Sequence, residues 1–340
     1  MLIIVNDKTV FIQNEILLGT LIEIIDIPNL KSDAVDTILG FLATLSADKT
    51  TCKVLVDKKV LPKTISTFLN RKDTVPTIAQ SSIKLFYNVI ATDPAASIDA
   101  IVKNKTLLAE VVNTITAFPT SEPIVYYGCA LLTLILQRVE PPVAQEVFRE
   151  KEASFTKSLG IMLDTFVKSE HSTRSTPLAV LGLISVLAIK VISLLNAFFI
   201  EKIHKKIFVV FKEAVEEDQK NEDFVFFGLA ALCGMCYNIF ECQIALVNKK
   251  DIKILMSFLK LFGNDREIIC NTMTLLLMIS SMDYARTLIM NDRGNCVALL
   301  LNIVDRYSDY DQEMTNSAIA LIEKLLETNS SITELNLSGI

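Results

Sequence analysis

The alternation of apolar and polar residues over 55–93 predicts three consecutive helices. A short apolar start ends in charged residues (LVDKK), an apolar pattern with helical spacing covers residues 60–69, and a polar break covers residues 70–74. A second, longer apolar segment then ends in Ala-Thr-Asp. Apolar residues with helical spacing on both sides of a polar break indicate amphipathic helices joined by a turn. The stretch therefore predicts a unit with a short first helix, a second helix and a long third helix.

The same unit recurs along the chain at a nearly constant distance. An apolar pair followed by polar or charged residues starts at seven positions, which lie 44, 46, 46, 52, 47 and 43 residues apart. Repeats of about 40 to 47 residues with helices in every unit are typical of α-solenoids, in which each unit packs only on its neighbours. The seven positions are Phe11, Leu55, Ile101, Val147, Phe199, Leu246 and Ile289.

These periods predict a single repeat domain over residues 9–327 and a C-terminal tail over residues 328–340, which lacks a helical period. The predicted repeats are 9–48, 49–94, 95–140, 141–190, 191–241, 242–283 and 284–327. Their long helices are apolar on most faces, which is expected of a helix that packs between its equivalents in adjacent repeats.

The composition is that of a chain with much to bury and a mild negative charge. Of its 340 residues 51% are hydrophobic, and 33 Lys and Arg face 39 Asp and Glu, a net charge of −6. This balance argues against general binding to nucleic acid. Seven cysteines without disulfide-like spacing, and a start (MLIIV) unlike a signal peptide, favour a reducing compartment. We therefore expect a cytoplasmic protein, with cytoskeletal, ciliary and nuclear locations left open.

Residues 177–200 form the main alternative to this interpretation. The segment is apolar and long enough to cross a bilayer. Its one charge, Lys190, lies inside the segment, where insertion costs about 2.5 to 3.5 kcal/mol. The repeat register also places a third helix and the next first helix here, so a membrane span is the weaker interpretation.

The units resemble armadillo repeats over nearly the whole chain. The most similar motifs are LFYNVIATD at residues 85–93 and MCYNIFE at residues 235–241, which look like the end of that family's third helix. The resemblance implies an all-α, right-handed superhelical α-solenoid of about seven armadillo/HEAT-like three-helix repeats. It also implies that Asn88 and Asn238 face a concave groove for extended peptides, and Lys84, four residues before Asn88, is grouped with them.

Two observations limit this resemblance. The chain has no tryptophan, whereas importin-α-like proteins pair such asparagines with tryptophans over successive repeats, so we do not expect binding to nuclear localisation signals. An asparagine near a helix end can also simply satisfy backbone groups. The groove role of Asn88 and Asn238 therefore has a structural alternative.

Lysines recur at the turn that follows the short first helix. Because equivalent positions of stacked repeats align, these lysines would form a basic edge that could bind an acidic protein surface. The alternative is that each cation complements the dipole of a helix C-terminus, worth about 0.3 to 1 kcal/mol. The basic positions are Lys58, Lys59, Lys103, Lys105, Lys151, Lys202, Lys249, Lys250 and Arg293, of which the lysines in repeats two, three and six (58, 59, 103, 105, 249 and 250) are the candidate partner contacts.

The sequence shows no pattern of a catalytic or metal site. Cys233 and Cys236, with Cys242 nearby, lack the second paired motif of structural zinc, so we expect buried thiols. Only two histidines are present, and no P-loop, Rossmann or Gly-x-Ser-x-Gly motif occurs. We therefore predict no enzyme, no cofactor and no metal. The aromatic pairs 126–127, 198–199 and 226–227 are expected to pack in the core.

Together these observations predict a non-catalytic scaffold or adaptor that binds partner proteins through the third-helix groove or the basic edge. The ligand would be an extended peptide or an acidic surface. The alternative is a constitutive structural subunit of a large cytoskeletal or ciliary assembly, because a solenoid with apolar ends needs something to cover them. A third interpretation, a membrane-associated protein, depends on residues 177–200 alone.

Overall fold

A computed structural model describes residues 15–71, 76–94, 97–98, 101, 104–167, 174–216, 221–291 and 296–337. For residues 15, 105, 216 and 328–337 it describes the backbone only. Over these ranges the chain forms α-helices, one short 3-10 helix at Ile192–Leu194 and no strand. The prediction of an all-α fold is confirmed.

The helices in the first half of the chain are α1 (Glu15–Ile24), α2 (Ser32–Leu45), α3 (Lys49–Asp57), α4 (Val60–Arg71), α5 (Pro76–Thr92), α6 (Lys105–Ala117), α7 (Glu122–Leu136), α8 (Pro141–Phe148), α9 (Glu152–Phe166) and α10 (Ser175–Lys190). Those in the second half are α11 (Leu195–Ile200), α12 (Ile203–Glu216), α13 (Glu222–Asn238), α14 (Phe240–Leu246), α15 (Lys249–Leu261), α16 (Arg266–Ile279), α17 (Asp283–Met290), α18 (Cys296–Tyr307) and α19 (Gln312–Leu337).

The chain separates into two compact bodies, which meet in sequence inside α10. The N-terminal body ends at Leu183 and the C-terminal body begins at Ile184. In the N-terminal body the long helices α2, α5 and α7 pack side by side, and α4, α6 and α9 form a second row. In the C-terminal body α13, α16 and α19 form the row of long helices, and α12, α15 and α18 form the second row. Each body is thus built from short, middle and long helices in the predicted order.

Small residues on the long helices let the second helix of the same repeat approach closely. A Cβ atom added at Gly128 would lie 2.6 Å from two atoms of the Ile115 side chain, and one added at Gly228 would lie 2.3 Å from the Phe211 ring. Both opposing side chains are fully buried. The sequence therefore fixes where α6 crosses α7 and where α12 crosses α13.

Hydrogen bonds join each repeat to the one before it. Several side chains donate to an acceptor 40 to 42 residues earlier, slightly less than the repeat spacing of 43 to 52 residues. These bonds add direction to the packing of apolar faces, because each one joins a side chain to the preceding repeat. The donors and acceptors are Ser66 and Asp26, Thr67 and Ile25, Arg71 and Leu30, Asn88 and Ser46, Lys151 and Ala109, Ser158 and Thr116, and Arg306 and Asn264.

The turn between the first and second helix is made in two ways. Lys59, Glu150 and Lys202 adopt positive φ angles of 57°, 64° and 56°, a conformation that costs an L-residue about 1 to 2 kcal/mol. In the other described turns an asparagine caps the second helix: Asn104 accepts from the backbone N–H of Leu107, and Asn248 accepts from those of Lys250 and Asp251. The lysines predicted to follow the short first helix therefore lie at or next to the turn between the first and second helices of a repeat.

The C-terminal segment differs from its sequence prediction, and the apolar segment 175–200 bears on the membrane alternative. The closing helix α19 continues to Leu337, so the segment 328–337 is helical and not an irregular tail; no Pro or Gly interrupts it before Gly339. In the described part of the chain, no single helix is both long and apolar enough to cross a membrane. The segments Ser175–Lys190 and Ile192–Ile200 meet that test only as a pair, with a bend of 110° between them.

Candidate functional site

Three tyrosines and one lysine gather on neighbouring long helices of the N-terminal body. Lys84 and Tyr87 lie on α5, and Tyr126 and Tyr127 lie at the start of α7. All four side chains are half-buried, while the adjacent residues Leu85, Phe86 and Val125 are fully buried and hold the helices together. We call the four residues the tyrosine cluster.

The aromatic rings of this cluster contact one another, in two pairs edge to face and in one pair tilted. The centroids of Tyr126 and Tyr127 are 4.9 Å apart, and Tyr87 lies 6.3 Å from Tyr126 and 5.7 Å from Tyr127. The ammonium nitrogen of Lys84 lies 5.5 Å from the centroid of the Tyr127 ring, within the range of a cation–π interaction. The contacts hold four partly exposed side chains together at one place on the surface.

Partial burial raises the pKa of Tyr87 and that of Tyr127, and the neighbouring tyrosines add to both shifts. The phenol groups therefore stay neutral and can donate hydrogen bonds. Next to them lies the positive charge of Lys84, which makes no ion pair with any described residue. Such a surface can pack an apolar side chain, donate hydrogen bonds to backbone carbonyls and attract a carboxylate.

The structure gives Asn88 and Asn238 different surroundings. Asn88 is half-buried one turn beyond Lys84, and its amide donates a hydrogen bond to the Ser46 hydroxyl at 2.9 Å. Asn238 is exposed at the last residue of α13, and its amide donates to the carbonyl of Gly234 in the same helix. Counted from the buried small residues Ser82 and Gly228, Asn88 is six and Asn238 ten residues further on. The two motifs that looked alike in sequence thus do not share one position.

The predicted basic edge is only partly visible. Lys59, Lys249 and Lys250 are exposed and Lys58 is half-buried, whereas Lys103 and Arg293 lie outside the described residues, as does the side chain of Lys105. Lys202 is exposed at its turn, while the ammonium of Lys151 donates to the carbonyl of Ala109 at 3.1 Å. The lysine at the turn of repeat four therefore has a structural role, although its acceptor lies inside α6 and not at the helix C-terminus that the alternative invoked.

The cysteines of the 233–242 segment are held as thiols. Cys236 and Cys242 are buried with their sulfur atoms 3.7 Å apart, and Cys233 lies 3.4 Å from the carbonyl oxygen of Asn271. Their hydrogen bond and burial raise the pKa of Cys236, and burial raises that of Cys233 to about 12. Among the residues that the structure describes, no group of three His, Cys, Asp or Glu side chains could hold a metal ion.

The expectation for the aromatic pairs needs a correction. Phe198 is fully buried, but both members of the pairs 126–127 and 226–227 remain half-buried at the surface. They precede Gly128 and Gly228, which face the second helix, so their own side chains point away from that contact. A sequence signal existed: residues 125–132 (VYYGCALL) and 225–232 (VFFGLAAL) share the pattern Val, two aromatic residues, Gly, any residue, Ala, any residue, Leu.

No protein-family model and no curated protein matches the sequence. Solved structures do share the fold. An engineered protein is 14% identical with a TM-score of 0.62, covering 93% of this chain and 71% of its own. A computationally designed armadillo repeat protein for modular peptide recognition is 12% identical with a TM-score of 0.53, covering 77% of this chain and 99% of its own. This chain has an armadillo-like repeat fold. Uso1-1 is a further match, 12% identical with a TM-score of 0.64, in which 97% of this chain aligns with 54% of the other.

Within the armadillo-like fold, α5 and α7 are third helices of consecutive repeats. The tyrosine cluster therefore lies on the row of third helices, where the resemblance implied a binding groove. Lys84 and Asn88 are predicted from the sequence to lie on that row, whereas the core position predicted for Tyr126 and Tyr127 is wrong and Tyr87 carried no prediction of its own.

Proposed function

We propose that this chain is a non-catalytic scaffold that binds a partner protein on the third-helix row of its N-terminal body, with the tyrosine cluster as the main contact. The single observation that carries the proposal is the set of three half-buried tyrosines in mutual contact, with Lys84 over the ring of Tyr127. Tyrosine is enriched among residues that dominate binding energies, because it combines a large apolar surface with a polar group.

The ligand chemistry that suits this cluster is an extended peptide. An aliphatic or proline side chain would pack on the ring faces, the tyrosine hydroxyls would donate to peptide carbonyls, and a carboxylate would approach Lys84. Because α5 and α7 are preformed helices that pack on each other, the receptor loses little conformational entropy on binding. The designed armadillo repeat protein of similar fold was made for peptide recognition, which supports the same class of ligand here.

Selection of a displayed random peptide library for binding to the intact chain tests this proposal. We expect selected peptides to lose about tenfold or more in affinity for Tyr87→Ala and for Tyr126→Ala, a change of about 1.4 kcal/mol or more. Tyr284→Ala is the matched control, because this tyrosine is 66% exposed and lies in the C-terminal body. Equal affinity for wild type and both cluster variants, or an equal loss in the control, would rule the cluster out as the binding site.

A second candidate is a constitutive subunit of a larger assembly. The observation that favours it is a group of exposed apolar residues at the ends of third helices and in the first helices of the C-terminal body. Tyr237 is 79%, Phe240 55% and Ile244 50% exposed. Sedimentation velocity tests it: self-association that Phe240→Ser abolishes would support an assembly role, and a monomer over the accessible concentration range would favour the scaffold.

The proposed location is a reducing compartment such as the cytoplasm. Support comes from the cysteines, none of which forms a disulfide in the described structure, with Cys52, Cys129, Cys236, Cys242 and Cys296 buried. Fluorescence microscopy of the tagged chain, with cytoskeletal and ciliary markers, tests this location. A signal confined to the secretory pathway would contradict it.

A further inference from the structure

A groove lies between the second helices of two adjacent repeats in the C-terminal body. It is bounded by α12 and α15 and has a volume of ≈ 790 Å³. Its lining residues follow helical spacing on both sides, at positions 205, 208, 209, 212 and 215 of α12 and 250, 253, 254 and 257 of α15. One continuous face of each helix therefore borders the groove. It is separate from the tyrosine cluster, which belongs to the other body and to third helices.

The rim of this groove is positively charged. Four lysines line it, against one carboxylate, that of Asp251. Asp251 accepts a hydrogen bond of 2.6 Å from the Asn248 amide, so part of its acceptor capacity is already used inside the turn. Within the described residues Lys250 forms no ion pair, and neither do Lys205 and Lys253. The groove lysines are Lys205, Lys212, Lys250 and Lys253.

The floor of the groove is apolar. Val209 is 41% exposed, Ile254 is half-buried, and Phe208 closes the bottom at 6% exposure. Hydration of the aliphatic floor between the two rows of lysines is unfavourable, and a ligand that covers the floor would release that water. The ligand must therefore bring both apolar and anionic groups.

We propose that this basic groove binds an acidic amphipathic helix of a partner protein. Two packed helices of 14 and 13 residues leave a channel about 20 Å long between them, at about 1.5 Å per residue. A third helix can lie in such a channel with its apolar stripe on Val209 and Ile254, while carboxylates on both sides of the stripe face the groove lysines. A flat bilayer would reach the rim lysines but not Phe208 and Ile254 on the floor, which favours a helix over a lipid surface.

The proposal rests on a different surface from the proposed function, so either can fail alone. The probe is a synthetic, fluorescein-labelled amphipathic peptide of about five turns with leucines at helical spacing and glutamates elsewhere. Two controls accompany it: a scrambled peptide of equal composition and a peptide with lysines in place of the glutamates. Fluorescence anisotropy with the full chain measures binding at low and high salt.

We expect the acidic amphipathic peptide to bind at least about tenfold more tightly than the scrambled peptide, and the lysine peptide to bind still more weakly. Added salt should weaken binding, because the rim charges are exposed. The double variant Lys205→Glu with Lys253→Glu should reduce affinity about tenfold or more, and Val209→Gln should reduce it without changing the salt dependence. Lys205→Gln with Lys253→Gln replaces the double reversal if that variant unfolds.

Lys260→Glu is the matched control, because Lys260 is an exposed lysine of α15 that does not line the groove. It should bind the peptide like wild type. Equal binding of the scrambled peptide, or equal losses for Lys260→Glu and the groove variants, would overturn the proposal by showing nonspecific charge attraction. Binding to phosphatidylserine vesicles without binding of the peptide would assign the groove to membranes instead, and self-association lost in Val209→Gln would assign it to a second copy of the chain.

Discussion

The side-chain amide of Asn88 donates a hydrogen bond to the hydroxyl of Ser46, 42 residues earlier, at 2.9 Å. Ser46 is buried at the C-terminal end of α2, and its hydroxyl in turn donates to the carbonyl of Ala43. The backbone carbonyl of Asn88 accepts a hydrogen bond from the thiol of Cys52. An asparagine of one repeat thereby closes the third helix of the preceding repeat.

Removing the Ser46 hydroxyl should therefore destabilise the chain. We expect Ser46→Ala to cost about 1 to 2 kcal/mol, because it leaves the Asn88 amide without its acceptor. Ser82→Ala is the matched control: the Ser82 hydroxyl is buried without a partner in the described structure, so its removal should be neutral or stabilising. Urea unfolding of both variants measures the difference. Equal losses would contradict a specific role for the Asn88–Ser46 bond.

A methyl group at Gly128 should destabilise the N-terminal body although alanine favours helix. The new Cβ would lie 2.6 Å from the fully buried Ile115 side chain, and such overpacking costs about 1 to 3 kcal/mol; Gly128→Leu should unfold the repeat. Gly40→Ala, where the nearest atom is Ser81 Oγ at 3.7 Å, should instead gain about 0.5 to 1 kcal/mol from helix propensity. Thermal unfolding followed by circular dichroism gives both signs, and a stabilising Gly128→Ala would refute the proposed helix crossing.

Acid should destabilise the C-terminal body through His204. This imidazole is buried, stacks on Phe199 at 5.3 Å, and has no hydrogen-bond partner in the described structure. Burial, aided by the charges of Lys205 and Lys202, lowers the pKa of His204 from 6.5 to about 4. The unfolded chain therefore takes up the proton first, so stability is full above the unfolded pKa and falls as the pH decreases from 6.5 towards 4.

The expected loss from this one group is about 2 kcal/mol between about pH 7.5 and about pH 5. Denaturant unfolding of wild type and His204→Leu at both pH values isolates the contribution of His204 to the unfolding free energy, since the carboxylates contribute equally to both proteins. The variant should lose that much less stability than wild type over this range. Parallel pH profiles would show that the histidine is solvated in the native state.

Glycine should be tolerated better than lysine at the turn between α3 and α4. Lys59 has a φ of 57°, where glycine avoids a steric cost of about 1 to 2 kcal/mol. We expect Lys59→Gly to raise the unfolding free energy by about 0.5 to 1 kcal/mol after its larger backbone entropy is counted. Lys58→Gly, at a φ of −79°, should lower it, and thermal unfolding compares the two. A loss in both would mean that the left-handed turn is not maintained in solution.

The repeat architecture was predictable because its causes are local and recur. Apolar spacing showed the helices, and polar breaks such as 70–74 showed where they end. The apolar pairs beginning at Leu55, Val147 and Phe199 lead within a few residues to the turns at Lys59, Glu150 and Lys202, which share one unusual backbone conformation. That agreement arises because the turn recurs in the same place whenever a short helix must join a second one.

The surfaces were predictable only in part, because exposure on a solenoid depends on which residues the adjacent repeat covers. Tyr126 and Phe86 are both aromatic residues of third helices, yet only Phe86 is fully buried, since it packs on Phe68 of the second helix. Likewise, the lysine pattern identified Lys250 but not Lys205 or Lys253, because those side chains line a groove between α12 and α15 rather than a turn. Sequence spacing gave the helix faces, but not which neighbour each face would meet.

Tyr126–Tyr127 and Phe226–Phe227 occupy equivalent positions at the start of two long helices, α7 and α13. Both pairs precede a glycine that packs closely on the second helix, Gly128 on Ile115 and Gly228 on Phe211, and the pairs themselves differ by two hydroxyl groups. A Tyr-to-Phe exchange at positions 126 and 127 would thus remove hydroxyl groups from the surface while leaving untouched the glycine contact that anchors the helix.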